Sequence, residues 1–462
     1  MTRILLVGSG AREHAIASAL TKSSVELYVA MTSRNPGIIR LAKDATAMHI
    51  DDPKAVTDYA KRTNVELAIV GPEVPLVNGV VDSLNKLDIA CVGPTRKLAS
   101  LEGDKTFCRE LLNKHEISGN PKYHIFTDLE SAENYLRSSG PVAIKPVGLT
   151  GGKGVKITDI DLPTKKSELI YAREIFQKKI GGFEKILVEE KLDGEEYSLQ
   201  AFVDGKNVLM MPLVQDHKRA YDNDSGPNTG GMGSYSDHNH LLPFVSQANF
   251  EISSLIMRDV VRALREDTGE EYRGVLYGQF MIAKGVGEDK PSPKLVEFNC
   301  RFGDPEVMNV LPILSPESDF LEICQNIATG TLKTKHASFE HKATVCKYLV
   351  PDGYPENPSV GQAVSVDEEA LMKNGSLIYY ASVDMKNSEI LTTSSRAIAI
   401  VGVNDTIEAA ENMSEAATAY VKGPLVHRQD IGTSDLIRKR IDHVKSLEFH
   451  PSLTEVTHPS GN

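Results

Sequence analysis

The sequence predicts a multidomain protein of mixed α/β and α+β class: an N-terminal doubly wound parallel sheet, a β-rich middle in two parts, and a small α+β domain near the C-terminal end. Three observations carry this reading. Strand and helix patterns alternate over the first hundred residues at the spacing of βα units. From about Gly119 the segments become short and β-rich around a glycine loop. A chain of 462 residues, at roughly 100–200 per domain, is enough for about three separate cores.

In the first unit, the apolar run 4–7 reads as a strand ending in Gly8-Ser9-Gly10, and Glu13, Ala15, Ile16 and Leu20 mark the helix after it. A strand over 25–30, a helix opening at Asp52-Pro53, a strand over 67–70, a helix over 75–87 and a strand over 89–92 complete the alternation. Asp52 suits an N-cap and Pro53 the first helical position. In the middle, 142–145, 155–157, 186–189 and 197–203 read as strands and 169–179 as a helix. Helices over 247–266 and 318–328 then flank strands over 278–283 and 294–298. The last unit has strands near 344–350, 376–381 and 397–403 and a helix from 406 to 421 with Asp405 as its cap. Residues 450–462 read as a loose tail.

Composition excludes several classes. Hydrophobic residues make up 41% and charged residues 25%, near the globular average. No run of 18 apolar residues marks a membrane-spanning helix. The N-terminus runs straight into a strand and shows no signal-peptide pattern. Cys91, Cys108, Cys300, Cys324 and Cys346 lack CxxC spacing, which argues against a disulfide framework or a zinc site. A net charge of −12 argues against wholesale nucleic-acid binding, so anionic ligands would need local clusters of cations and N–H groups. The expectation is a cytoplasmic enzyme with no membrane or nucleic-acid partner.

Four segments carry chemistry. Gly8-Ser9-Gly10-Ala11-Arg12-Glu13-His14 falls at a strand-to-helix turn, where free N–H groups and the helix dipole favour a phosphate. A dinucleotide fold fails here on two counts: Glu13 replaces the third glycine of GxGxxG, and no acidic residue closes the second strand. Gly71-Pro72-Glu73 follows a strand of the same sheet, and Glu73 either grips sugar hydroxyls or caps the next helix. Lys145, then Gly148 to Gly154 with Gly151, Gly152 and Lys153, suits a flap over nucleotide phosphates, although the Walker A order is absent. Near it, Glu189 and Glu196 lie at strand ends, either as acceptors for adenine and ribose or as a solvated charge cluster.

The strongest segment is Leu295-Val296-Glu297-Phe298-Asn299-Cys300-Arg301-Phe302-Gly303-Asp304-Pro305-Glu306. Strand alternation puts Glu297, Asn299 and Arg301 on one face and Val296, Phe298 and Cys300 on the other. Glu297 and Asn299 suit oxygen ligands for Mg²⁺ or Mn²⁺ holding substrate phosphates, and Arg301 would neutralise a transferring phosphoryl group. Gln215-Asp216-His217-Lys218-Arg219 and Gly226-Pro227-Asn228-Thr229-Gly230-Gly231-Met232-Gly233 form a basic, then glycine-rich loop, too long for a turn alone, that could hold an anionic substrate.

Together these blocks resemble the ATP-grasp ligases over nearly the whole chain, as far as Gln429-Asp430-Ile431-Gly432, and within them the members that join glycine to 5-phosphoribosylamine. The resemblance implies a small C-terminal domain behind an ATP-grasp core of two sub-domains. The boundaries are then 1–118 for phosphoribosylamine binding, 119–192 for the small lid, 193–330 for the central part, 331–448 for the C-terminal domain and 449–462 for the tail. It implies ATP as co-substrate, Mg²⁺ or Mn²⁺, a glycyl phosphate intermediate, an early step of purine biosynthesis, and a monomer without the further purine-pathway domains of multifunctional relatives. By motif match, Lys105, Lys145 and Gly151–Gly154 would serve the nucleotide phosphates. Glu189 to Leu192 would serve adenine and Glu196 the ribose. Gly8, Ser9, Gly10, Arg12, Glu13, Gly71, Pro72 and Glu73 would hold phosphoribosylamine, with Lys218, Asn228, Thr229 and Gly230 also on substrate. Arg301, Asp304, Lys145 and Asp216 would be catalytic. Gln279, Glu297 and Asn299 would hold metal, Gln279 through an uncharged carbonyl oxygen where the family often has a carboxylate.

Overall fold

A computed structural model describes residues 1–449 apart from 152–153, 286–287 and 289. The expected flap residues Gly152 and Lys153, and the expected tail apart from Phe449, lie outside the described residues.

The first unit is a five-stranded parallel sheet built from β1 (Thr2–Val7), β2 (Val25–Met31), β3 (Asp44–Ala47), β4 (Leu67–Val70) and β5 (Ala90–Val92), in the order β3-β2-β1-β4-β5. The order reverses between β1 and β4, so a crevice opens at their carboxyl ends. The turns after them begin at Gly8 and Gly71. Helices α1 (Ala11–Leu20), α2 (Pro36–Leu41), α3 (Pro53–Thr63), α4 (Glu73–Val77) and α5 (Val80–Asn85) cross between the strands. Asp52 caps α3 as expected, accepting from the Lys54 N–H at 2.9 Å. The helix expected over 75–87 is instead two, because Gly79 takes a left-handed φ of 85° that ends one and opens the next. Two further helices, α6 (Arg96–Gly103) and α7 (Lys105–Lys114), lead out of the sheet, and Asp104 caps α7 through the Thr106 and Phe107 N–H groups.

The small middle sheet holds β6 (Tyr123–Phe126), β7 (Val142–Pro146), β8 (Lys156–Ile157) and β9 (Ile186–Glu190) in the order β6-β9-β7-β8, with α8 (Leu129–Ser138) and α9 (Lys165–Lys178) against it. Its core is separate: Leu136, Ile144, Ile175, Ile186 and Val188 pack on one another. The chain continues through β10 (Gly194–Asp204), β11 (Val208–Met210), β12 (Gln215–Asp216), β13 (Arg219–Tyr221), β14 (Ser225–Asn228), β15 (Gly233–Ser236), α10 (Gln247–Thr268), β16 (Arg273–Ala283) and β17 (Ser292–Asn299). The central antiparallel sheet runs β11-β10-β16-β17. Between β16 and β17 the register slips at Gln279/Phe280, leaving Val296 as a bulge opposite no partner of its own. That bulge corrects the expected alternation: Leu295, not Val296, joins Phe298 and Cys300 in the core, and Val296 is only half-buried.

After α11 (Val307–Val310) and α12 (Phe320–Thr329) the last unit begins with β18 (Ala343–Pro351). Then follow β19 (Ala363–Val366), α13 (Glu368–Asn374), β20 (Leu377–Tyr380), β21 (Val383–Lys386), β22 (Glu389–Thr392), β23 (Ile398–Asn404), α14 (Ile407–Thr418) and, at the end, α15 (Ser434–Phe449). Its main sheet runs β12-β15-β18-β23-β20, so two strands from within 193–330 belong to it and the expected boundary at 330 does not separate the sheets. The cap of α14 is Thr406, whose hydroxyl accepts from the Ala409 N–H at 3.2 Å, while Asp405 pairs with Lys342 at 2.6 Å instead.

The two ends of the chain are locked together. The buried Asn35 amide donates to Ser9 O at 2.9 Å and Tyr380 O at 2.7 Å, and the Tyr380 N–H donates to His14 Nδ1 at 2.9 Å. Burial, with help from Arg40, lowers the His14 pKa to about 3, so the imidazole is a neutral acceptor there. No helix among the described residues is long and apolar enough to cross a membrane. All five cysteines are buried free thiols.

Candidate active site

The site lies where β17 ends against the N-terminal crevice, the small sheet and the loop between β12 and β15. Gln279 on β16 stands directly opposite Glu297 on β17. Asn299 Oδ1, two residues on, accepts from Arg301 at 3.2 Å, so Asn299 and Arg301 share the face the alternation requires. No described residue forms an ion pair or hydrogen bond with the Glu297 carboxylate. Burial favours its neutral form, but the charges of Lys218, Lys105, Lys145 and Arg301 outweigh burial and hold its pKa below the ordinary range. An ionised carboxylate under the influence of four cations fits a polyanion accompanied by a hard divalent ion, the cations suiting the anionic oxygens and the carboxylate the metal. Glu297 and Asn299 supply free oxygen lone pairs for such an ion. The Gln279 amide is already held: its nitrogen donates to Glu196 at 2.9 Å and its oxygen faces the Tyr277 hydroxyl. Among the described residues no cluster of three or more His, Cys, Asp or Glu could enclose an ion, so any metal here would lean on ligand oxygens.

Lys105, the first residue of α7, donates to Gly148 O at 3.0 Å; burial lowers its pKa, with Glu297 opposing and Lys145 adding to the fall. Lys145, at the end of β7, lies 2.7 Å from Glu189 Oε2 and donates to the bulged Val296 O at 3.2 Å. Arg109, from α7, binds the other Glu189 oxygen at 2.6 Å and the same Val296 carbonyl at 2.7 Å. This corrects the expectation for Glu189. Its carboxylate is consumed by two cations. Glu196 is half-buried and is held by Lys218 at 3.0 Å. Gly151 has left-handed φ and open space around it, whereas the Gly154 carbonyl is held by Tyr171.

The N-terminal turn departs further from expectation. The Gly8 N–H donates to Ala30 O at 2.9 Å and the Gly10 N–H to Glu13 Oε2 at 2.6 Å, so neither is free for a phosphate. Glu13 lies in the crevice between the two turns: a Cβ on Gly71 would fall 2.1 Å from its Oε1. Arg12 binds the Glu13 carboxylate at 2.6 Å and Phe302 O at 3.2 Å, tying the turn to the segment after β17. Ser9 is buried in this crevice, its hydroxyl meeting Thr32 Oγ1 at 2.9 Å, and Glu73 faces Arg301 at 3.3 Å. Glu102, on α6, binds Arg301 at 3.2 Å and accepts the Cys300 N–H at 2.7 Å. Burial raises the Glu102 pKa to about 7 despite Arg301, and Glu73 adds to the rise.

In the loop between β12 and β15, the Asp216 carboxylate caps the His217 N–H at 2.7 Å. Burial and then repulsion from Glu306 raise the Asp216 pKa well above its ordinary value, and burial raises that of Glu306. Thr229 departs from its expected substrate role: it is 2% exposed, and its hydroxyl is spent on Lys218 O and the Gly231 N–H. Asn228 pairs with Arg219 across a two-strand ribbon, and Gly230 is exposed. Asp304 accepts from Tyr348 and lies 3.2 Å from Arg396. Sequence reasoning missed Glu102, Arg109, Tyr277, Tyr348 and Arg396. Each acts through a contact 29 or more residues away in the chain, so no local spacing could reveal it.

Comparison with known proteins shows the family and the fold. Residues 2–102 match the N domain of phosphoribosylglycinamide synthetase, residues 103–307 its ATP-grasp (A) domain and residues 344–434 its C domain. The chain is 47% identical over 451 residues to a phosphoribosylamine–glycine ligase of Methanocaldococcus jannaschii, covering 96% of this chain and 99% of that protein. A crystal structure of phosphoribosylamine–glycine ligase from Thermotoga maritima superposes with a TM-score of 0.78 at 27% identity, covering 93% of this chain and all of that one. The biotin carboxylase domain of a Hydrogenobacter thermophilus 2-oxoglutarate carboxylase, solved with MgADP and bicarbonate, shares the fold at a TM-score of 0.70 and 15% identity, over 96% of this chain and 94% of that one. With three domain models in the same order and close relatives along nearly its full length, the chain belongs to the phosphoribosylglycinamide synthetase family, the ATP-grasp phosphoribosylamine–glycine ligases.

Proposed function

We propose that the chain joins glycine to 5-phosphoribosylamine at the expense of ATP, giving glycinamide ribonucleotide, ADP and phosphate. The observation that carries this is the unpartnered Glu297 carboxylate within a ring of Lys105, Lys145, Lys218 and Arg301. A glycine carboxylate is inert to amines until activated. Its oxygen attacks the γ-phosphorus of ATP, the bond to the bridging oxygen breaks and ADP leaves. The phosphoribosylamine nitrogen then attacks the acyl carbon of glycyl phosphate and phosphate departs. Phosphoryl transfer of this kind needs positioning and charge neutralisation more than covalent help from the protein.

Lys105 and Lys145 place point charges on the nucleotide phosphates, and Arg301 presents a planar donor fork to the group in transit. Glu196 is assigned to the ribose, and the backbone from Glu189 to Leu192 to adenine. Asp216, Asp304, Lys218 and the Asn228–Gly230 loop are assigned to the acceptor side, and Ser9, Pro72 and Glu73 to phosphoribosylamine. Glu297 and Asn299, with the Gln279 carbonyl only if Tyr277 yields it, would hold a divalent ion, Mg²⁺ or Mn²⁺, which supplies charge neutralisation for the phosphates. A monomer in the cytoplasm is the setting we propose.

The test is ADP release with glycine and freshly generated phosphoribosylamine, each omitted in turn, for the wild type and Glu297→Ala. ADP release that needs glycine, and a loss of at least about a thousandfold in the variant at saturating Mg²⁺, are expected. ADP release indifferent to glycine, or a variant near the wild-type rate, would overturn the reading.

A further inference from the structure

Arg396 lies on the loop before β23, in the C-terminal unit and far along the chain from every residue of the site. Its guanidinium nevertheless gathers two of the site's loops. One nitrogen donates to Gly230 O at 2.8 Å, Gly231 O at 2.9 Å and Asp304 O at 3.2 Å, and another lies 3.2 Å from Asp304 Oδ1. The carbon of the guanidinium stacks over the Tyr348 ring, 4.3 Å from its centroid, and the Tyr348 hydroxyl donates to Asp304 Oδ1 at 2.5 Å. A loop carrying two glycines and a charged turn are thus pinned to one cation that is itself stacked on a fully buried ring on β18.

The tolerances around this clamp are small. A Cβ on Gly230 would come 3.2 Å from the Arg396 guanidinium, and one on Gly231 would fall 2.6 Å from Asp216 Oδ1 and 2.7 Å from Pro305. Asp304, Pro305, Asp216 and the two glycines therefore touch through Arg396 or through each other, and a shift of the guanidinium would move them together. Arginine alone among side chains can hold one carboxylate and three carbonyls while stacking on a ring, since its donors are fixed in a plane and always charged.

We propose that Arg396, braced by Tyr348, is a positioning residue for the ligase reaction: it sets Asp304 and the Gly230–Gly231 loop in register with the phosphoryl-transfer centre, so that the C-terminal unit completes the acceptor side of the active site. The inference rests on the ligase reading above. Among the described residues no hydrogen bond or ion pair joins the Arg396 clamp to Lys105 or Lys145, so disturbing it should spare ATP binding and cost the steps that use glycine.

The experiment uses the full chain as wild type, Arg396→Met, Tyr348→Phe, Asp304→Asn and the Arg396→Met/Asp304→Asn double variant. It measures glycine-dependent ADP release and, separately, the Kd of a fluorescent ATP analogue. Arg396→Met should lower kcat/KM for glycine by about a hundredfold or more with the nucleotide Kd within threefold. Tyr348→Phe, which keeps the ring and deletes one hydrogen bond, should cost about fivefold to twentyfold in the same parameter and also keeps the test open if Arg396→Met fails to fold. The double variant should be no worse than its worse parent, because both changes release the same turn. Wild-type failure to use glycine would defeat the ligase reading. Wild-type turnover with Tyr348→Phe unchanged, with an equal loss of nucleotide affinity in the variants, or with fully additive losses, would overturn this inference alone.

Discussion

Replacing Glu189 by glutamine separates a structural carboxylate from a base-binding one. In the folded protein Glu189 neutralises two cations that are themselves almost fully buried, Arg109 at 2% exposure and Lys145 at 5%. Burial opposes its ionisation, yet Arg109 and Lys145 overcome burial and hold its pKa below the ordinary range. Its contribution is thus complete above the usual carboxylate pKa and is lost only as pH falls into the acid range. Glutamine keeps the shape and can still accept from the Arg109 Nε–H, but it turns an N–H₂ toward the Lys145 ammonium and leaves that charge with only the Val296 carbonyl. Removing one member of a buried ion pair costs about 3–5 kcal/mol, and the retained Arg109 contact puts this case near 3, roughly a hundredfold in the unfolding equilibrium. The loss should appear in urea unfolding at pH 7.5 and as faster hydrogen exchange in the sheet β6-β9-β7-β8, because Arg109 and Val296 lie outside that sheet and the triad helps tie it down. ATP affinity measured by calorimetry should fall less than about tenfold, through the freed Lys145 alone. Adding Lys145→Met should cost about 2 kcal/mol less than the two changes summed, since no cation is then stranded. An unfolding midpoint like the wild type together with a hundredfold weaker ATP would refute the triad and return Glu189 to adenine.

Gly71→Ala should drive a methyl into Glu13, only 2.1 Å from its Oε1, and so uncap the Gly10 N–H. Overpacking of this kind costs about 1–3 kcal/mol, and the KM for phosphoribosylamine should rise at least about tenfold while that for ATP stays within twofold, so an equal rise in both would place the crevice elsewhere. Glu102→Gln should flatten part of the pH dependence of stability. With its pKa raised from 4.5 to about 7, the folded state holds a proton that the unfolded chain has lost, so stability falls as pH rises through that window by about 3 kcal/mol. Urea unfolding between pH 5 and 8 should show that fall in the wild type and its absence in the variant; parallel curves would mean Glu102 is already ionised throughout.

The order of elements was legible because each depends on neighbours in the chain. Asp52-Pro53 announces a helix start, the apolar runs at 4–7 and 67–70 announce buried parallel strands, and alternation along β17 brings Asn299 and Arg301 to one face with Glu297. Segments too short to show a period, such as α2, β3 and β6, and the break at Gly79, were not. The candidate site divides along the same line. Motif residues at the ends of strands, Lys145, Glu196, Lys218, Glu297 and Arg301, do converge, because parallel and antiparallel pairing delivers strand ends to one rim. What each does with its hydrogen-bonding atoms is another matter. Glu13 and Glu189 looked available and are spent on Gly10 and on Arg109 with Lys145, while Val296 left its face through a bulge. Sequence by itself determined the α/β and α+β class, the order of the units and the residues that carry charge to the site. Only the tertiary structure decided which of those charges remain unspent, and that Arg396, Tyr348 and Glu102 belong with them, because pairing between residues 40 to 200 positions apart is fixed by packing geometry and desolvation and leaves no periodic trace in the chain.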